Sequence, residues 1–214
     1  MACICPSVTP YSVKEYKEQL EKIASFSERI HLDLMDGEFV ETRSPELINY
    51  WWPEEIIADI HLMYQHPERH IETLISLKPH LVIVHAEAEG FREFRDRSSE
   101  FGKLGIKRGV ALLADTPASN IESVVAEFDH VLIFSGNLGH YGGTANLDLL
   151  SKVSDLRSLA SDLSSLELGW DGGVNQDNAK KLVDGGVDVL NVGGAIQHAD
   201  KPQDVYSRLV SLVS

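Results

Sequence analysis

The chain has 214 residues, 43% hydrophobic and 24% charged, the proportions of one ordinary globular domain with a sizeable core. Nineteen Lys and Arg against 33 Asp and Glu leave a net charge of -14, spread along the chain rather than gathered in a tail. Such a surface repels phosphate backbones and anionic lipid, which argues against nucleic-acid and membrane partners and leaves any anionic ligand to be held by local dipoles or a metal.

The first apolar run, residues 2–5, reads as a strand and carries both cysteines, Cys3 and Cys5. Two apart in a strand, they share a face and cannot staple distant segments. The opening run 1–8 is too short, and too polar at its end, for a signal peptide, and no stretch approaches the roughly 18 apolar residues of a membrane span. A cytoplasmic, reducing compartment is the expectation. An amphipathic helix follows over Val13–Ile23, with Val13, Tyr16, Leu20 and Ile23 on one side. Further strands are expected at 30–34, 56–62, 81–84, 109–112, 131–134, 166–170 and 187–192, with helical periodicity between them, as at 179–183, where Lys180 and Lys181 face outward. Strand and helix alternate throughout, which implies parallel strands with helical crossovers. Spread over eight units, 214 residues give about 27 each, close to a minimal single-domain (β/α)₈ barrel. The competing arrangement is an open doubly wound sheet, but no Gly-x-Gly-x-x-Gly follows the first strand and polar residues cluster at several strand ends. Tyr50, Trp51 and Trp52, ahead of the third strand, are expected to pack under a helix.

A barrel of this kind places its site at the C-terminal strand ends. The second strand ends His31-Leu32-Asp33-Leu34-Met35, and alternation puts His31, Asp33 and Met35 on one face. The third brings His61 and Met63, and the seventh ends at Asp171. Ionisable groups in an apolar lumen are costly unless paired or metal-bound. If the three strands aim these groups at the axis, two imidazole nitrogens and two carboxylate oxygens converge as a ligand set for Zn²⁺, with iron, manganese or cobalt as alternatives. A metal with two carboxylates suggests proton transfer beside a carbonyl: Asp33 and Asp171 are placed to remove a proton from one face of an enediolate-forming substrate and return one to the other, inverting a centre. Met35 and Met63 would border the substrate with uncharged sulfur, or simply pack. Glycine pairs at Gly142 and Gly143, Gly172 and Gly173, and Gly193 and Gly194 follow the last three strands, where backbone N–H groups can approach a phosphate closely. His85 is open to a structural role or a place in the site. His66, His70, His80, His130 and His198 fall in expected helices or loops and read as solvated.

On these residues the sequence resembles the ribulose-phosphate 3-epimerase family, over essentially the whole chain. The resemblance rests on the run from His31 to Val40, on Asp59-Ile60-His61-Leu62-Met63 followed by His66-Pro67-Glu68, and on His85-Ala86-Glu87-Ala88. It continues through Gly109 to Leu112, Asp171-Gly172-Gly173-Val174 and Gly193-Gly194-Ala195-Ile196. It implies a barrel that interconverts D-ribulose 5-phosphate and D-xylulose 5-phosphate by inversion at C3 and that self-associates. His31, Asp33, His61 and Asp171 would hold the metal, with Asp33 and Asp171 as acid and base. Ser7, His61, Met35 and Met63 would meet the substrate, and Gly139, Gly142, Gly143, Gly172, Gly173, Gly193 and Gly194 would cradle the phosphate. The sequence departs from the family after Pro6-Ser7, where Val8-Thr9-Pro10-Tyr11 replaces the usual Ile-Leu-Ser-Ala. It departs again in the loop from Asn137 to Gly143, which lacks the usual proline and is one residue longer, and Phe134 stands where a third lumen methionine is common. Two further readings are an epimerase for another ketose phosphate, such as D-allulose 6-phosphate, and a non-catalytic sugar-phosphate binder. A Schiff-base lysine in a strand and an Asp-x-Lys-x-x-Asp stretch are both absent from the sequence, which disfavours an aldolase or decarboxylase.

Overall fold

Eight short runs rich in Val, Ile and Leu, buried on both faces, form the strands of a parallel sheet. In the computed structural model, which describes residues 2–140, 142–159 and 165–214, these are β1 (Cys3–Val8), β2 (Arg29–Met35), β3 (Ile57–Met63), β4 (Leu81–His85), β5 (Lys107–Leu112), β6 (His130–Phe134), β7 (Glu167–Asp171) and β8 (Val189–Val192). They pair in parallel and in sequence order, and β8 closes on β1 to complete a (β/α)₈ barrel. Met1, at the head of the opening run, and Tyr141, in the glycine loop after β6, lie outside the described residues.

The crossovers carry α1 (Val13–Ile23), α2 (Ile71–Leu77), α3 (Phe91–Arg97), α4 (Leu150–Leu159), α5 (Ala179–Asp184), α6 (Gly194–Gln197) and α7 (Pro202–Val213). Ser12 caps α1 by accepting a hydrogen bond from the Glu15 N–H, while the Glu15 carboxylate accepts from the Tyr11 N–H at 2.8 Å. The helix buries Tyr16, Leu20 and Ile23 against the sheet. Val13, expected on that stripe, stays 40% exposed because it lies in the first turn, beside exposed Tyr11 and beyond the end of β1. The β2–β3 and β5–β6 connections hold only 3₁₀ turns. Pro45 and Pro53 bracket the first of these stretches and deny it the N–H groups of a regular helix. Tyr50 packs edge-on against Tyr16 there, whereas Trp51 remains 52% exposed.

Strand β1 also runs further than the apolar pattern suggests. Cys3 to Pro6 register with β8, while Ser7 and Val8 register with β2, so Pro6 sits where pairing changes partner.

One core lies between the outer strand face and the helices, a second fills the lumen with Leu81, Ile83, Ala111 and Leu132, and a small third cluster joins Met35, Val40 and Met63. Towards the N-terminal strand ends, Arg29 donates from Nε to Asp59 Oδ2 at 2.7 Å and from both terminal nitrogens to the Glu167 carboxylate at 3.1 and 3.2 Å. This triad links three strands and holds the Glu167 carboxyl well below its ordinary range, through contact with His130 and Arg29 against the cost of burial. His130, read from the sequence as solvated, is instead buried at the start of β6, 3.4 Å from Glu167. A strand start in a closed barrel faces the lumen rather than water.

Candidate metal and acid–base site

Strand alternation carries His31 and Asp33 on β2, His61 on β3 and Asp171 at the end of β7 into the lumen near the C-terminal ends, all four buried. Asp33 Oδ1 lies 2.9 Å from His61 Nδ1 and 3.1 Å from His31 Nε2. Asp171 Oδ2 stands 3.8 Å from His61 Nδ1 and 3.9 Å from His31 Nε2. One donor atom from each residue falls within 4.8 Å of all the others. Ligands about 2.0–2.1 Å from a tetrahedral ion are roughly 3.3 Å apart, a spacing these separations bracket, and two imidazoles with two carboxylates suit a borderline divalent ion. The residues present therefore fit a metal.

The electrostatics separate the two carboxylates. Burial would raise the Asp33 pKa, but His31 and His61 more than offset it and hold the carboxyl well below its ordinary range. The Thr9 hydroxyl also donates to Asp33 Oδ2 at 2.9 Å. Asp171 is pushed up to about 7, by burial first and then by the Asp33 charge. Burial pushes His61 down to about 3 against its hydrogen bond to Asp33. Burial acts to lower His31 too, yet Asp33 outweighs it and the pKa rises. Two carboxyls a few ångströms apart thus favour opposite protonation states, the pattern of an acid and base pair.

Above the cluster opens a cavity of about 310 Å³. Ser7, Asp33, Met63 and Asp171 line it, as do Gly139, Gly142, Gly143, Gly172, Gly173, Gly193 and Gly194. His31 and His61 are not among its lining residues, and Met35 is not either: Met35 packs with Val40 and Met63, with its sulfur 3.0 Å from Thr42 Oγ1. Ser7 Oγ is buried without a hydrogen-bond partner among the described residues. The glycines after β7 are required by backbone approach: a Cβ at Gly172 would collide with the backbone N of Gly136, and one at Gly173 with that of Ala145. Both have positive φ, 108° and 69°. The β6 loop is pinned across the mouth where Tyr11 OH and Thr42 Oγ1 donate to the Gly139 carbonyl at 3.2 and 3.0 Å.

Several lining residues escaped the sequence reading. Thr9 lies two residues beyond Ser7, and Asn191, whose amide is 3.4 Å from His31 Nε2, lies two beyond Val189, so alternation alone could have placed both. His140 and His198 also line the cavity. No Lys or Arg does among the described residues. His85 is fully buried and touches His61 through their Nε2 atoms at 2.9 Å.

The family model described as "Ribulose-phosphate 3 epimerase family" matches residues 3–197. The chain belongs to that family. Among curated relatives, a chloroplastic ribulose-5-phosphate-3-epimerase of Arabidopsis thaliana is 31% identical over 198 residues, covering 90% of this chain and 70% of that protein. A ribulose-phosphate 3-epimerase of Schizosaccharomyces pombe is 31% identical over 216 residues, covering 97% of this chain and 92% of its own. The 3-hexulose-6-phosphate synthase structure from Salmonella typhimurium superposes with a TM-score of 0.66 at 13% identity, covering 100% of this chain and 98% of that one; at that identity it shows the shared barrel alone. Membership in this epimerase family makes the chain an isomerase-type enzyme of carbohydrate chemistry. No helix among the described residues is long and apolar enough to cross a membrane.

Proposed function

We propose that the protein is a metal-dependent ketose-phosphate 3-epimerase interconverting D-ribulose 5-phosphate and D-xylulose 5-phosphate. The observation that carries this reading is the pair of carboxylates, Asp33 and Asp171, within one four-residue donor cluster at the floor of a glycine-walled cavity. His31, Asp33, His61 and Asp171 would hold the ion, which when bound supplies Lewis-acid polarisation of the substrate oxygens beside C3. Asp33, held ionised, takes the C3 proton from one face; Asp171, on the other face, returns a proton that it exchanges with solvent. Reversal of these roles serves the opposite direction. The Thr9 hydroxyl fixes Asp33 Oδ2, so the base is oriented before substrate arrives.

The phosphate sits among the loops after β6, β7 and β8, where backbone N–H groups replace the Lys and Arg that are missing from the cavity wall among the described residues. Ser7, whose hydroxyl has no partner among the described residues, meets the sugar. A coupled assay of metal-loaded protein against D-ribulose 5-phosphate and D-allulose 6-phosphate tests the assignment. Turnover of the pentulose phosphate at the higher kcat/KM supports it, and preference for the hexulose phosphate or turnover of neither overturns it.

A further inference from the structure

We propose that Glu87, just past β4, is a positioning residue that receives, through His85, the proton a cation must displace from His61 Nδ1. The inference rests on the metal reading above. His61 and His85 are both fully buried, with ring centroids 5.0 Å apart and their Nε2 atoms 2.9 Å apart. At that distance one nitrogen must donate and the other accept. On the far side of His85, Nδ1 faces Glu87 Oε2 at 3.4 Å. Both atoms are buried, and neither has a closer hydrogen-bond partner among the described residues. The other Glu87 oxygen accepts from the Leu113 N–H at 2.9 Å, which fixes the carboxylate in place. Phe39 and Phe134 lie against the His85 ring, at centroid distances of 4.8 and 5.9 Å.

Asp33, His61, His85 and Glu87 thus form a row with three gaps, each able to take one proton. Two neutral imidazoles bring two. The middle gap must hold one of them, so the other goes either to the Asp33 end or to the Glu87 end. At the Asp33 end it would occupy His61 Nδ1 and exclude a metal ion. At the Glu87 end it sits on His85 Nδ1, the middle proton sits on His61 Nε2, and His61 Nδ1 is left as a lone pair facing Asp33 and Asp171. Without a cation, the 2.9 Å contact to the Asp33 carboxylate keeps the second proton at the Asp33 end, against 3.4 Å at the other; a cation at His61 Nδ1 displaces it, and the Glu87 carboxylate accepts it through His85. Glu87 thereby orients a ligand it never touches, as outer-shell acceptors on metal-bound histidines generally do.

Glu87→Gln is nearly isosteric and tests this directly. The amide oxygen can keep the Leu113 contact while the NH₂ faces His85 Nδ1, so that end of the row no longer accepts a proton and the one on His61 Nδ1 has nowhere along the row to go. Zinc affinity of the whole protein, measured against a competing chelator, should fall about 10 to 100-fold. In ¹⁵N-resolved histidine spectra, the zinc-loaded parent should carry its protons on His61 Nε2 and His85 Nδ1, a result that needs no variant. Zinc-free Glu87→Gln should carry them on His61 Nδ1 and His85 Nε2. In a His85→Phe background, Glu87→Gln should have no further effect on affinity, because Glu87 acts only through His85. Unchanged zinc affinity in Glu87→Gln, a proton on His85 Nε2 in the zinc-loaded parent, or a Glu87 effect that survives His85→Phe would each overturn the proposal. A parent protein that binds no zinc would instead overturn the metal reading on which it rests.

Discussion

Lowering the pH from 8 to 6 should weaken metal binding about tenfold through Asp171 alone. Without the ion, the Asp171 carboxyl is pushed up to about 7 by burial and by the Asp33 charge; with the ion, it must be ionised to ligate. At pH 8 it is already ionised and costs nothing. At pH 6 the acid form prevails by roughly ten to one, so binding must first expel a proton, at about 1.4 kcal/mol per pH unit. His31, whose pKa is also raised, adds to the loss in the same direction, while His61, near 3, is neutral throughout this range and contributes nothing. Titration with zinc against a chelator of known proton affinity, at pH 6, 7 and 8, reads the effect. Asp171→Asn should bind more weakly overall but with a shallower pH dependence. An affinity in the parent that is flat from pH 6 to 8 would show instead that Asp171 is ionised before the ion arrives.

Asp33→Asn and Asp171→Asn should each lower turnover by about 10² to 10⁴-fold, the usual worth of one general acid or base, with steady-state kinetics under saturating metal as the check. Gly194→Ala should leave thermal unfolding unchanged, since its Cβ would meet nothing nearer than His198 Nδ1 at 3.5 Å, yet raise KM for the phosphorylated sugar; Lys201→Ala, outside the cavity wall, should change neither. Arg29→Met should cost about 3–5 kcal/mol in urea unfolding, because it leaves Asp59 and Glu167 without their shared counter-ion; a loss under about 1 kcal/mol would show the triad to be dispensable.

The barrel and the donor cluster could be read from the sequence because both depend on local rules. Apolar runs mark strands buried on both faces, and alternation along β2 and β3 aims His31, Asp33 and His61 inward without knowledge of any neighbour. What stayed hidden depends on pairing between distant segments. Arg29 reads as a flanking charge until β7, more than a hundred residues on, brings Glu167 across the lumen. The extension of β1 past Pro6 follows from its change of partner strand, which no local pattern records. Met35 follows the alternation of Asp33, but Val40 and Met63 receive its side chain away from the cavity. His130 looks like a loop residue only while the strand start is taken to be exposed.

On the proposed function, epimerisation exchanges a proton with solvent at one carbon between two carboxyls. Metal-loaded protein should be incubated with D-ribulose 5-phosphate in D₂O, and the D-xylulose 5-phosphate formed analysed by NMR and mass spectrometry. Deuterium should appear at C3 of the epimerised product, introduced by a carboxyl that has exchanged with solvent. Epimerised product carrying only protium at C3 would contradict the proposed function, and so would the absence of any epimerisation.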